Sequence, residues 1–411
     1  MSESTKILLR YKEIALGYFS KEELQKALRY FNNERQISKK AVSLLKNKYA
    51  DDSRESYFYR NLIENFLTFA DSKLELNQFF DLLLNFAKTA VSTGDLNLGQ
   101  DIYLVALSKA SNKKAFKDIR ANAYLGLGEI CLRQSFWTDT LKHLRKGLNI
   151  FLSEKNFNGA AKCENLIGSL YGNRGEFDKA KNHFEKSLKM IDAKKERHLT
   201  GMIEGNLAIV SQAQKDYNTA FAYHYRALNN FEQINDNKGI ALARYNLGFL
   251  FLQKKEFDSA KVEFDLSISA AIKNKYLSSL NLAFLGISEV YLKLKDFPLA
   301  LAFSDRALEI SFKINDRLTV ADLYKIKGII QRELKNNEFA ENYLHTSLRI
   351  NKETGNKLNY AETCYELGIL YENWKNESAV HFLKEALNSY KEIDIISEEE
   401  KIKSKLKELA E

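Results

Sequence analysis

The chain has 411 residues, a net charge of +8, 45% apolar and 12% aromatic residues, and one proline. That apolar content is ample for a continuous core, and the single proline excludes proline-rich linkers and argues for nearly all-helical structure. Three widely spaced cysteines exclude a disulfide framework, and no run approaches the roughly 18 uncharged apolar residues that a membrane-spanning helix needs.

The N-terminus is polar and is not followed by the apolar run of a signal peptide, which with the odd cysteine count predicts a reducing, cytoplasmic setting. Residues 1–50 hold 11 Lys/Arg against 5 Asp/Glu, whereas residues 51–100 hold 4 against 8, so the basic bias is concentrated at the start. Ser20 and Glu23 form a capping box ahead of an apolar stripe at Leu24, Ala27, Leu28 and Phe31, and a second short helix follows Ser38. Two readings compete for this region. One is a nucleic-acid-binding head, since Gln36 to Lys46 faintly resembles the second helix of a helix-turn-helix. The other is an amphipathic helical cap with a lysine-rich solvated face. Few Arg, Gln or Asn side chains lie on the presumed recognition face and no clear glycine turn separates the helices, which favours the cap.

A repeat then takes over. A small residue recurs every forty positions at Gly128, Gly168, Ala208, Gly248, Ser288, Gly328 and Gly368. Taking these as zero, an aromatic residue stands nine later at Trp137, Phe177, Tyr217, Phe257 and Phe297, and Asn337 breaks that pattern. Twelve later come Thr140, Ala180, Ala220, Ala260, Ala300 and Ala340, and twenty later Leu148, Leu188, Leu228, Ile268, Leu308 and Leu348. Offsets −1, 0 and +3 share one face of a first helix, and +9, +12, +16 and +20 share one face of a second. Small residues at 0 and +12 let the two helices approach closely. An acidic residue or Asn at +8 (Glu176, Asp216, Glu256, Asp296, Asn336) suits the N-terminus of the second helix, and Pro298 falls where its missing N–H costs little. One further unit lies upstream, where Gly94-Asp95-Leu96, Gly99 and Ala106-Leu107 carry the second-helix signature. A period of this length means a unit that buries its apolar face only by stacking on its neighbours. After Ser397 a final helix opens with acid and continues with base, and Ile402, Leu406 and Leu409 are placed to cover the last repeat.

Chemistry is sparse. His143 and His183 share offset +15 and His224 lies at +16, so the repeat explains them. There is no His-x3-His, Cys-x2-Cys, phosphate loop, dinucleotide turn or nucleophile elbow. The sequence therefore points away from catalysis, metals and cofactors.

The spacing of Leu-Gly-x2-Tyr, then Phe/Tyr-x2-Ala, resembles the tetratricopeptide repeat (TPR) over roughly residues 122–393. The usual repeat-closing proline is absent and about six residues are added per unit, so the helices or their connections should be longer. This long form resembles the arrays of kinesin light chains and of bacterial peptide-sensing regulators. The resemblance implies an all-α, right-handed α-solenoid of helical hairpins with helical caps at both ends. It divides the chain into a helical region at 1–79, an array of about eight repeats at 80–393 and a capping helix at 394–411. In the family, first helices line a concave groove through offsets −6, −3, −2, +1 and +5. Carried onto this chain, those offsets give an amide ladder at Asn165, Asn206 and Asn246 flanked by Met202, Ile209, Tyr245 and Phe249 as the peptide-binding groove. The Lys/Asn/Arg clamp of chaperone-binding members is missing: its positions hold Leu125/Glu129, Asn165/Ser169, Gly205/Ile209 and Tyr245/Phe249. The expected function is a protein- or peptide-binding scaffold or adaptor, with a peptide-controlled regulator whose N-terminal helices touch nucleic acid as the alternative. Self-association is a further expectation for an open array, and no membrane partner is expected.

Overall fold

The computed structural model describes residues 3–26, 54–111, 114–273, 276–314, 316–374, 376–393 and 396–409. These are all helix and connection, with no strand among them. In chain order the helices are α1 (Glu3–Ala15), α2 (Arg54–Lys73), α3 (Leu76–Ser92), α4 (Leu96–Lys109), α5 (Lys117–Arg133), α6 (Trp137–Ser153), α7 (Phe157–Asn173), α8 (Phe177–Lys189), α9 (Arg197–Ala213) and α10 (Tyr217–Gln233). They continue as α11 (Asn237–Gln253), α12 (Phe257–Lys273), α13 (Leu277–Lys293), α14 (Phe297–Lys313), α15 (Arg317–Glu333), α16 (Asn337–Thr354), α17 (Lys357–Asn373), α18 (Ser378–Glu392) and α19 (Ile396–Glu408). In the first unit α3 pairs with α4 and α5 with α6, and in the second unit α9 to α18 pair into five successive hairpins. The chain falls into two compact units: residues 1–170 with 189–191, and residues 171–188 with 192–411.

The forty-residue period has a simple origin. Helices α9 to α15 are each 17 residues long, and three-residue connections such as 214–216 and 234–236 join them, so a helix begins every 20 residues (17 + 3) and a hairpin every 40. The added residues therefore lengthen the helices and leave the connections short.

Six first-to-second connections from 135 to 335 end their helices in the same way. The residue at offset +7 takes a left-handed backbone: Ser135 (φ 60°), Gly175 (77°), Lys215 (62°), Lys255 (63°), Lys295 (61°) and Lys335 (62°). Its N–H returns to the carbonyl three back, as Lys215 to Gln212 at 2.9 Å, and the next N–H reaches five back, as Asp216 to Ser211 at 2.9 Å. That pair of bonds is the Schellman closure, which satisfies carbonyls that a helix end otherwise leaves open. The residue that completes it also starts the next helix. Asp216 and Asp296 accept hydrogen bonds from the backbone N–H groups of Thr219 and Leu299, both at 3.2 Å. First helices are capped in the same manner by Asp236, Asp316 and Asn356.

Within a hairpin, the small residue at zero receives the side chain at +16. A Cβ on Gly248 would stand 2.8 Å from the Phe264 ring, and one on Gly328 would stand 2.6 Å from Leu344. Contacts that short force one group to move, so glycine sets the helix separation there. The +16 series runs Leu144, Phe184, His224, Phe264, Ser304 and Leu344, all 0–2% exposed. In two repeats this buried position is polar. Among the described residues, neither ring nitrogen of His224 nor the Ser304 hydroxyl has a hydrogen-bond partner.

In the first unit, Tyr11, Phe66 and Phe86 form one aromatic cluster, with the Phe66 and Phe86 rings stacked at 5.7 Å and Tyr11 edge-on to Phe86 at 4.8 Å. Ser20 and Glu23 form the expected capping box, with Ser20 N–H donating to Glu23 at 2.9 Å and Glu23 N–H to Ser20 Oγ at 3.2 Å. Leu24 is buried. The other stripe residues Ala27, Leu28 and Phe31, the helix after Ser38 and the segment Gln36–Lys46 lie outside the described residues. In the second unit, α19 packs on the last hairpin: Ile402 is fully buried beside Ala361, Cys364 and Leu383, with Leu406 and Leu409 half-buried around it. All three cysteines are buried and free, with Cys163 and Cys364 pushed up to about 12 chiefly by burial. Pro298 sits in the first turn of α14. No helix among the described residues is long and apolar enough to cross a membrane.

His224 makes a prediction about stability. Burial pushes its imidazole down to about 4. The unfolded chain protonates it near 6.5, so its effect on the fold is a loss of stability as pH falls from about 6.5 toward 4. Replacing it with leucine, the residue used at the same offset in other repeats, removes two unsatisfied buried nitrogens. The substitution His224→Leu should add about 1–3 kcal/mol at pH 7, and its advantage should widen at pH 5. Thermal unfolding of both proteins across that range is the check, and a lower melting temperature for the variant would refute the assignment.

Candidate functional site

First helices touch the next first helix as well as their own partners: α9 meets α11, α11 meets α13, α13 meets α15 and α15 meets α17. One face therefore passes from helix to helix within the second unit. On α9, Met202, Asn206 and Ile209 follow one another at helical spacing, and on α11 Leu242, Tyr245, Asn246 and Phe249 do the same. Met202 is 41% exposed, Ile209 50% and Leu242 44%, unusual values for large apolar residues placed side by side. Between them Asn206, Tyr245, Asn246 and Phe249 are half-buried. The Asn246 amide makes no hydrogen bond to another described residue, while Asn206 already has a partner in the protein. Asn165 stands apart from these seven. It belongs to the first unit, is 3% exposed and is engaged with a neighbour.

Tyr245 links the apolar part of this face to a charged part. Its ring lies 6.4 Å from Phe249, nearly parallel, and 5.8 Å from the buried Phe264. Burial, reinforced by the charges of Glu289 and Asp322, holds its phenol protonated well above the usual range. Those carboxylates come from α13 and α15, and Glu362 on α17 completes the set. Lys325 pairs with Glu362 and, at 3.3 Å, with Asp322. Asn359 donates to Asp322 at 2.8 Å. Burial works against the Lys325 charge, but Glu362 and Asp322 override it and raise its pKa. Farther along, Arg332 binds Glu366 at 2.5 Å. Glu289 makes no ion pair or hydrogen bond with a described residue, and burial pushes it up to about 7, with Lys325 opposing and Asp322 and Glu362 adding to the shift.

The sequence reading found the apolar and amide part of the face and missed this charged part. Glu289 lies at offset +1, Asp322 and Glu362 at −6 and Lys325 at −3, all lining offsets. The available signal was three acids and one lysine at those offsets in three successive repeats.

Glu289 supplies a test of this environment. A carboxyl raised above its unfolded value stabilises the fold while protonated, and that contribution is lost as pH rises from about 4.5 to about 7. A glutamine keeps the neutral form at every pH. The melting temperature of Glu289→Gln minus that of the native protein should therefore grow between pH 4.5 and 8; a flat difference would place Glu289 in a solvated setting instead.

Comparison with known proteins bears on the fold. The tetratricopeptide repeat family model matches residues 119–193 and 199–271. A search of curated proteins finds no match to the sequence. Among solved structures, a Rap protein complexed with competence and sporulation factor is 14% identical, with 95% of this chain and 99% of that one covered and a TM-score of 0.60. The Rap conjugation gene regulator of plasmid pLS20 in complex with the Phr* peptide is 16% identical, covers 84% and 92%, and has a TM-score of 0.59. Aspartyl phosphate phosphatase F from Bacillus subtilis is 13% identical, covers 96% and 94%, and has a TM-score of 0.55. At these identities the likeness is one of fold. Residues 119–193 and 199–271 match the tetratricopeptide repeat, and helical hairpins of the same forty-residue stride continue beyond them, so the chain carries repeats similar to the long form of that family.

Proposed function

We propose that the protein is a peptide-binding scaffold that receives an extended segment along the first helices of its second unit. The observation that carries this reading is the row of exposed Met202, Ile209 and Leu242 interleaved with half-buried Asn206, Asn246, Tyr245 and Phe249. Amides grip a peptide backbone whatever its side chains, because each donates and accepts, and the apolar neighbours receive anchor residues. Asn246 has both capacities free. The surface exists before the ligand arrives, so the segment bears most of the ordering entropy. Support also comes from the similar Rap regulator solved with the Phr* peptide. Asn165, buried and in the other unit, has no part in this reading.

The role is binding without catalysis. The name phosphatase belongs to one similar structure, and no nucleophile–base motif marks this sequence. Adaptor and peptide-controlled regulator both use the same face, and the basic segment that distinguishes them is largely residues 27–50, outside the described residues.

A random-peptide phage library panned on the intact protein should enrich a family of extended sequences. Replacing Asn206 and Asn246 together with alanine should weaken the enriched peptides by at least about tenfold, the loss of one to two hydrogen bonds. The melting temperature should stay within a few degrees. Unchanged affinity in the double variant would end the groove assignment.

A further inference from the structure

The turn between α7 and α8 differs from its counterparts in one respect. The α3–α4 turn also has glycine at the left-handed position, Gly94, but the five other equivalent turns among the described residues hold a side chain there, Ser135 or a lysine at 215, 255, 295 and 335. The backbone conformation alone therefore does not demand the glycine at 175. What is particular to Gly175 is a neighbour: a Cβ there would stand 3.5 Å from the carbonyl oxygen of Ile393. Ile393 follows the last residue of α18 and is half-buried against the cluster of Ile402 and Leu406. Both partners belong to the second unit. They are 218 residues apart (393 − 175), whereas the well-packed helix pairs among the described residues join a helix to the next or next but one.

We infer that the second unit closes on itself, with the α7–α8 turn seated against the C-terminal end of α18 as an intramolecular latch. Each hairpin in a stack adds a small rotation, and the rotations accumulate along the chain. All five hairpins from α9 to α18 lie between the two latch points, so the contact fixes their summed rotation. A Cβ at that distance is in ordinary van der Waals contact with the Ile393 carbonyl, so it is the further length of a lysine like those at the neighbouring turns that would crowd the contact. Closing this contact gathers the first helices together, and releasing it lets them spread. The consequence for ligand entry rests on the groove reading above, whereas the latch is tested without any ligand.

The experiment is a distance measurement between spin labels at Asn173→Cys and Lys391→Cys in the full chain, both exposed sites beside the contact. The three native cysteines are buried, which directs the label to the introduced pair. A single narrow, short distance is expected. Adding Gly175→Lys, a residue that the same turn carries in four other repeats, should keep the helical signal and shift the distribution to longer, broader distances. Gly175→Ser, as at position 135, should give a smaller shift in the same direction. A broad or long distribution in the otherwise native chain overturns the latch. So does a distribution that neither variant moves while the helical signal is kept. If a variant loses its helices, the native-background distribution decides alone.

Discussion

The architecture depends on how one helix stops and the next begins. A Schellman closure ends successive first helices, and its second bond is made by the N–H of a residue whose side chain, at Asp216 and Asp296, then caps the following helix. Because one residue serves both ends, the connection has no room to lengthen. Three-residue joints between 17-residue helices give a constant stride. Within the second unit, constant stride returns each first helix to the same side, and only then do side chains from different repeats form one surface. The left-handed residue this closure needs is lysine in four turns, at some backbone cost relative to glycine. The hydrogen bonds gained and the tight joint outweigh it.

How much of this was readable in advance differs by level. The hairpins were legible because their determinants are local: small residues at zero, aromatics at +9 and acids at +8 recur on one strand of sequence. The capping of second helices was read from Asp216 and Asp296 for the same reason. Asp236, Asp316 and Asn356 cap first helices at a shared offset of −12, but Glu196 and Tyr276 at that offset make no such bond, so the signal there is broken. The face itself was half legible. Met202, Ile209 and Leu242 stand out as apolar residues at lining offsets. The pairing of Lys325 with Glu362 and Asp322 did not, since it depends on the register of one helix against the next, which no single repeat encodes. Asn165 illustrates the converse. It matches the amide ladder by offset, yet it is almost fully buried, because an offset gives direction from the helix and says nothing of what lies opposite.

The polar residues at +16 show what the framework tolerates. In most repeats a leucine or phenylalanine fills the space over the small zero residue, but His224 and Ser304 fill it with unsatisfied groups. Stability in a stacked array is a sum of local terms, so a weak hairpin costs its neighbours little while strong ones flank it. Hairpin α11/α12, with Gly248 closed by Phe264, stands between the two weaker ones and carries Tyr245 and Phe249.

The sameness of the joints also bears on ancestry. A crossover between any two copies of a three-residue joint regenerates a working joint, whichever repeats it unites, so whole hairpins can be gained or shed without a scar. Array length then drifts freely until some feature makes a given number of units necessary. A glycine whose partner lies more than two hundred residues downstream is such a feature, for it counts the modules between them.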